Sequence, residues 1–307
     1  MKDYFPIRTS SAFGVLELVL ASLIRGFQGF FVRVTEWTPN HIIPLAFFRL
    51  SVPAALIYVY LFLTGRRIRG IFTKEKLPLH LISLLTAIRM SFFFLGYAYA
   101  DLSSATLIFF ASGIFITLLE PFFLKEKFSR QTLWLALLGF VGIAFVFLDQ
   151  TISLKSAGFI GLVFMGISCF LVIFENICKK SFIGRASNFE WVFYQGFVSS
   201  LFLSVTLFFF PLPDARAFLW IMAFALIIGI GAFVLDMSAI RKVRISDLSV
   251  VRYVEPIATM CVGFFLYNEA ITMNKLIGAV LIFSSVYFVF KKQSIQRMEQ
   301  EMSNVPR

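Results

Sequence analysis

The sequence predicts an all-α membrane protein: ten transmembrane helices arranged as two inverted five-helix repeats. Three observations predict it. Hydrophobic residues make up 59% of the 307 residues, charged residues only 15%, and the mean hydropathy is +0.86. Soluble domains run about 45–50% apolar and about 25% charged, so this chain cannot cover itself with polar side chains in water. The second observation is the distribution of basic residues along the apolar runs, and the third is a weak internal repeat. The composition excludes a soluble enzyme, a disordered scaffold and a secreted disulfide framework.

Each span rests on an apolar run long enough to cross the hydrocarbon, about 20 residues. The first, 12–32, carries Glu17 and Arg25, is too long for a signal peptide and has no small-residue cleavage site. Thr38-Pro39-Asn40 turns the chain into the second, 41–63, which stops at Gly65-Arg66-Arg67. The third and fourth occupy 78–99 and 104–124, and Lys125-Glu126-Lys127 separates them from the fifth at 131–149. The sixth, 156–178, ends on Lys179-Lys180, and the seventh, 190–210, on Pro211-Leu212-Pro213-Asp214. The eighth is 217–240, closed by Arg241-Lys242. The ninth, 247–267, contains Pro256, and the tenth is 275–291, with a tail over 293–307.

With the termini and every second loop on one side, that side holds 20 of the 28 Lys and Arg residues. The opposite side holds Arg33, Lys155, Arg216 and Lys275, and four more lie inside spans. This positive-inside asymmetry places both termini in the cytoplasm and the chain in a cytoplasmic (inner) membrane as a multi-pass protein. It also explains the net charge of +11 without nucleic acid.

A shift of 143 residues lays Ser103-to-Phe140 over Ser246-to-Phe283, with Glu126 on Glu269 and Leu133 on Leu276. A similar shift lays Phe47-Phe48-Arg49 over Phe193-Tyr194-Gln195. The predicted halves are 1–150 and 151–292. Because five is odd, two such copies enter the membrane from opposite faces, an arrangement many secondary transporters use for alternating access.

These features resemble the drug/metabolite transporter superfamily, in its branch with two tandem EamA domains. The residues that carry the resemblance are Phe47-Phe48-Arg49 in the second span, Phe123-Leu124-Lys125-Glu126-Lys127 after the fourth and Leu266-Tyr267-Asn268-Glu269 after the ninth. The family's Pro thirteen residues before that Glu is Pro256; the first half has Gly113 there, and a Pro at Pro121 instead. Gly139, Gly142 and Gly278 fit close packing of the fifth and tenth spans. The resemblance implies a secondary transporter of small organic metabolites and not an enzyme.

A charge at mid-bilayer costs at least about 2.5–3.5 kcal/mol, so each needs a function or a partner. Glu17, Arg25, Arg49, Arg89, Arg252 and Glu255 are the deep charges, with Glu120, Glu175 and Asp236 nearer the cytoplasmic ends. Two readings compete. In one, carboxylates in a central cavity hold an amine-bearing substrate, and one of them carries a coupling proton. In the other the charges pair as structural glue. Lys179, four residues after Glu175, is its expected partner, and Glu126 and Glu269 are expected to anchor loops. Tyr97, Tyr194 and Tyr253, with Tyr99 and Trp191, add aromatic faces that bind cations or planar rings. The substrate-binding set is therefore Glu17, Arg25, Arg49, Arg89, Tyr97, Tyr194, Arg252, Tyr253 and Glu255.

The expected cargo is an amino acid or amino-acid derivative. S-adenosylmethionine is one example, since relatives of the resembled family carry it. Without a G-x-x-x-x-G-K-[ST] motif, the driving force is proton coupling or exchange against a counter-substrate, as in an antiporter. No cofactor or metal is expected: Cys169, Cys178 and Cys261 form no C-x-x-C pair, and His41 and His80 lie far apart. The alternative is an integral-membrane enzyme acting on a lipid-linked substrate, which lacks any H-E-x-x-H or G-x-S-x-G motif to support it.

Overall fold

The computed structural model describes residues 11–34, 39–65, 72–100, 102–148, 156–209, 214–268 and 270–303, and no strand occurs among them. The helices are α1 (Ser11–Gly26), α2 (Gln28–Val34), α3 (Pro39–Leu63), α4 (Leu77–Tyr99), α5 (Leu102–Leu124), α6 (Arg130–Val146) and α7 (Ser156–Phe182). The remainder are α8 (Asn188–Leu203), α9 (Ala215–Phe224), α10 (Phe233–Lys242), α11 (Ile245–Val251), α12 (Val254–Tyr267) and α13 (Met273–Ser303). They form ten helical segments, because α1 with α2, α9 with α10, and α11 with α12 each follow one path across the bundle. Eight segments are long and apolar enough to span a membrane, and Arg130–Val146 is a shorter apolar helix. The chain is a multi-pass membrane protein.

Local chemistry sets several boundaries. Ser129 caps α6 through the Thr132 amide, and Asp214 caps α9 through the Ala217 amide. Ser187 and Glu190 form a reciprocal capping box at α8. Each such cap is worth about 1 kcal/mol. At the other end of α12, Asn268 adopts φ 52°, a left-handed conformation that asparagine tolerates.

Three segments are interrupted, and each interruption has a local cause or consequence. The first breaks at Phe27, between α1 and α2. The ninth breaks at Arg252-Tyr253, three residues before Pro256. Proline has no N–H to offer the Arg252 carbonyl and its ring crowds that oxygen; the Glu255 amide takes the carbonyl instead at 3.0 Å. In the eighth, Ala225–Ala232 winds as a π-helix between α9 and α10. The tenth runs on to Ser303, so residues 293–303 of the expected tail are helical.

Packing is dominated by α4 against α7 and α8, α6 against α13, α3 against α8, α5 against α7 and α11, and α1 against α10 and α12. Glycines set the closest crossings. A Cβ on Gly142 would meet the Gly278 carbonyl at 2.8 Å, and one on Gly278 the Gly142 carbonyl at 2.5 Å, so α6 and α13 touch backbone to backbone.

Candidate functional site

A cavity of about 140 Å³ lies inside the bundle, and a smaller one of about 60 Å³ adjoins it, sharing Arg25, Arg49, Met90, Gln195 and Phe233. Arg25, Arg49, Arg89, Lys179 and Arg252 line the larger space, together with Glu175, Asp236 and Glu255. Five cations therefore face three carboxylates. The volume has room for several waters.

The carboxylates are occupied. Glu175 accepts from Arg89, from Lys179 and, at 2.9 Å, from the Thr86 hydroxyl. Asp236 takes both its oxygens to Arg252, at 3.0 and 3.2 Å, and lies 3.6 Å from Arg25. Glu255 accepts from Arg25 Nε at 3.2 Å. Arg252 also donates to Asn176 Oδ1 at 3.1 Å. Buried ions with this many hydrogen bonds recover part of the several kcal/mol that desolvating each one costs.

Arg49 differs. It joins no ion pair among the described residues, and its Nη1 is buried with no hydrogen-bond partner. Its guanidinium instead sits 5.1 Å from the Phe224 ring centre and 5.9 Å from that of Phe94. The polypeptide holds it firmly. Pro53, one turn on, cannot donate to the Arg49 carbonyl, and Gly229 of the π-helical stretch packs against Pro53 and that carbonyl. The next residue, Leu50, presents its carbonyl to Gly196 at a crossing of α3 and α8 that leaves no room for a Cβ. Gln195, the neighbour of Gly196, faces the same space as Arg49, and its Oε1 is likewise buried without a partner.

Of the residues expected to bind substrate, the cavity brings together Arg25, Arg49, Arg89, Arg252, Tyr253 and Glu255. Three are elsewhere. Glu17 is tied to Lys242 at 2.6 Å and Ser238 at 2.9 Å, off the cavity. Tyr97 packs on Phe93 and shares a hydrogen bond with Thr106 at 3.2 Å. Tyr194 is fully buried against His80 and Phe193, with the Lys76 ammonium 5.3 Å over its ring. Tyr253 does reach the cavity, yet its ring lies in the notches of Gly113 and Gly139 and its hydroxyl donates to the Phe110 carbonyl at 3.3 Å. It acts as a wedge between helices. Trp191 is buried with its Nε1 on the Ile183 carbonyl, and Tyr99 is about half exposed.

Sequence reasoning also missed contributors. Asp236 and Lys179, which the sequence suggests only near segment ends, line the cavity, as do Asn176 and Gln195, which it does not single out as binding residues. The one available signal was the register that sets Gln195 on Arg49. No group of three or more His, Cys, Asp and Glu suited to a metal occurs among the described residues. The loop pairing expected of Glu126 is present, with Arg244 at 2.5 Å, whereas Glu269 lies outside the described residues.

Ion pairs cluster at one end of the bundle. Arg244 reaches Glu120 at 3.3 Å, Lys292 reaches Asp247 at 2.8 Å, and Lys242 reaches Glu17. At the opposite end, the rings of Phe30 and Phe31 meet those of Trp220 and Phe224.

Comparison with known proteins bears on this geometry. The S-adenosylmethionine uptake transporter of Rickettsia prowazekii is 23% identical over 256 residues, covering 82% of this chain and 84% of that protein. The protein of the same name from Rickettsia bellii is 24% identical over 260 residues, with the same coverage. The uncharacterized transporter YoaV of Bacillus subtilis is 23% identical over 300 residues, 92% of this chain and 99% of its own. One crystal structure superposes with a TM-score of 0.76 at 15% identity, over 89% of this chain and 96% of that one, a likeness of fold. The model of the EamA-like transporter family matches twice, at residues 12–148 and 159–291. The relatives above are named as transporters, and two matches that take in nearly all the helices place this chain in the EamA-like transporter family.

Proposed function

We propose that the chain is a secondary carrier in the cytoplasmic membrane, with both termini inside, that moves an amino acid or amino-acid derivative by alternating access. The halves are 1–150 and 151–292, related by an inverted two-fold. The observation that carries the reading is the charged cavity itself: Arg25, Arg49 and Arg89 come from one half, and Glu175, Asp236, Arg252 and Glu255 from the other.

The packing supports the inverted relation. Let the first segment correspond to the sixth, and so on. The contact of α4 with α7 then becomes that of the eighth segment with α1, and the contact of α5 with α7 becomes that of the ninth with α1. The pairs α3 with α8, α6 with α13, and α5 with α11 map onto themselves. A bundle whose contacts exchange in this way can hold two conformations of similar energy, one open to each face. In the form described, Arg244–Glu120, Lys292–Asp247 and Lys242–Glu17 join helices at the end carrying most of the Lys and Arg. Access from the cytoplasm then requires those pairs to part.

S-adenosylmethionine is the first cargo to test, on the strength of the names of the Rickettsia relatives. Proteoliposomes containing the purified protein should accumulate labelled S-adenosylmethionine or an amino acid above empty liposomes. An exchanger keeps running with pH and membrane potential clamped, provided counter-substrate is loaded inside; a proton symporter stalls. Uptake no greater than in empty liposomes across S-adenosylmethionine and the common amino acids would defeat the reading.

A further inference from the structure

We infer that Arg49 and Gln195 form the dock for the head group of the cargo, with a carboxylate on the Arg49 guanidinium and the neighbouring ammonium on the Gln195 side-chain oxygen. This deepens the carrier reading and rests on it for the word cargo.

The argument starts from charge. Every carboxylate in the cavity already has a cation, and two cations have none to themselves. One of these is shared out in the Arg89–Glu175–Lys179 cluster. The other is Arg49, which pairs with no anion among the described residues. A guanidinium in a low-dielectric interior attracts a counter-ion strongly, and the rings of Phe94 and Phe224 compensate it only in part. Its planar fork suits a carboxylate, which it binds with two parallel N–H···O bonds. An acceptor without a donor belongs to the same cavity wall, Gln195 Oε1. A free acid-binding donor and a free amine-binding acceptor in one space match an α-amino acid group. The place is also built: Pro53, Gly229 and the Leu50–Gly196 crossing fix the backbones on which both side chains stand.

Gln195 matches Arg49 in the internal register, so the dock is formed by equivalent positions of the two halves. A ligand held there touches both halves at once, as a carrier requires if occupancy is to bias the exchange between its two forms.

The test uses full-length protein in detergent and thermal unfolding. The ligands are the common L-amino acids and S-adenosylmethionine, each beside the same compound with its carboxylate amidated or removed. Wild-type protein should be stabilised by at least one acid, with its partner compound at least about tenfold weaker. Arg49→Gln should lose that preference and Arg49→Lys should keep part of it. Gln195→Leu should weaken binding of the amino acid while sparing the same molecule with its amine replaced by hydrogen. Without ligand, Arg49→Gln should unfold no earlier than wild type, since it removes an uncompensated charge; a purely structural arginine would lower the midpoint. The inference is overturned by equal or absent stabilisation from acids and partner compounds, by an acid preference that survives in Arg49→Gln, or by early unfolding of unliganded Arg49→Gln. Binding that passes every test while proteoliposomes take up nothing would sink the carrier reading and leave the dock standing.

Discussion

Two arginines line one cavity and behave differently. Arg89 is locked into a cluster in which Glu175 also receives Lys179 and the Thr86 hydroxyl, and the side chain of Glu175 is only 2% exposed. Arg49 is one helix away with phenylalanine rings and no anion. Both cost the same kind of desolvation, and both stand out equally in a hydropathy profile. The difference teaches that depth in the bilayer identifies a residue that needs a partner, while only the three-dimensional surroundings tell whether the protein supplies it.

The largest effect that would sharpen this contrast is expected at Glu175. Glu175→Gln leaves Arg89 and Lys179 without their shared anion, and removing one member of a buried ion cluster costs about 3–5 kcal/mol. Thermal unfolding in detergent should show a large loss in stability, together with poor yield. A loss no larger than that of a surface substitution would erase the distinction, because Arg89 would then tolerate isolation as Arg49 does.

Next in size is the Tyr253 wedge. A leucine at Gly139 would collide with the Tyr253 ring and the Ser285 hydroxyl, which a Cβ would approach at 2.9 Å. Overpacking of this kind costs about 1–3 kcal/mol. Since Tyr253 follows the break at Arg252, the same substitution should shift Arg252 from Asp236 and weaken ligand binding beyond its effect on stability. If stability falls and ligand affinity is untouched, the wall made by Tyr253 is separate from the binding face.

The ten segments were legible in the sequence because a bilayer demands apolar runs of fixed length, and because basic loops alternate about them. Part of the cavity lining was legible too, since Arg25, Arg49, Arg89, Arg252 and Glu255 all line it. Rotation about the helix axis was not. Glu17 and Arg25 share a stripe on α1, yet Glu17 turns to Lys242 and Arg25 to Glu255, because the partners lie on helices more than 200 residues away. Asp236, expected nearer a cytoplasmic end, lines the cavity for a more specific reason. The π-helical turn before it accommodates an extra residue, and each residue rotates the following helix face by about 100°. That rotation helps bring Asp236 to Arg25 and Arg252, and nothing in Ala225–Ala232 beyond its two glycines announces it. The break in the ninth segment has a visible cause in Pro256, and it falls where the missing N–H is felt, at the carbonyl four residues back.

Glu126 gives the smallest and most pH-specific effect, and it tests whether the basic end behaves as the cavity does. Burial holds its carboxyl above the ordinary range, and the Glu120 charge pushes the same way, while Arg244 opposes both. The folded protein therefore binds that proton more tightly than the unfolded chain. The corresponding stability is fully present below the ordinary carboxylate pKa and is lost as pH rises from there through the raised value. Glu126→Gln should flatten this decline, leaving the variant less sensitive to pH from the ordinary carboxylate pKa upwards. The change should stay below about 1 kcal/mol, since the pair with Arg244 is screened by solvent. Arg244 keeps Glu120 and the Lys127 carbonyl at 2.9 Å, so it is not stranded by the substitution. Thermal midpoints across that range decide the matter. A steeper decline in Glu126→Gln than in wild type would mean that the charged carboxylate stabilises the basic end, and that this end, unlike Arg49, is held by its ion pairs.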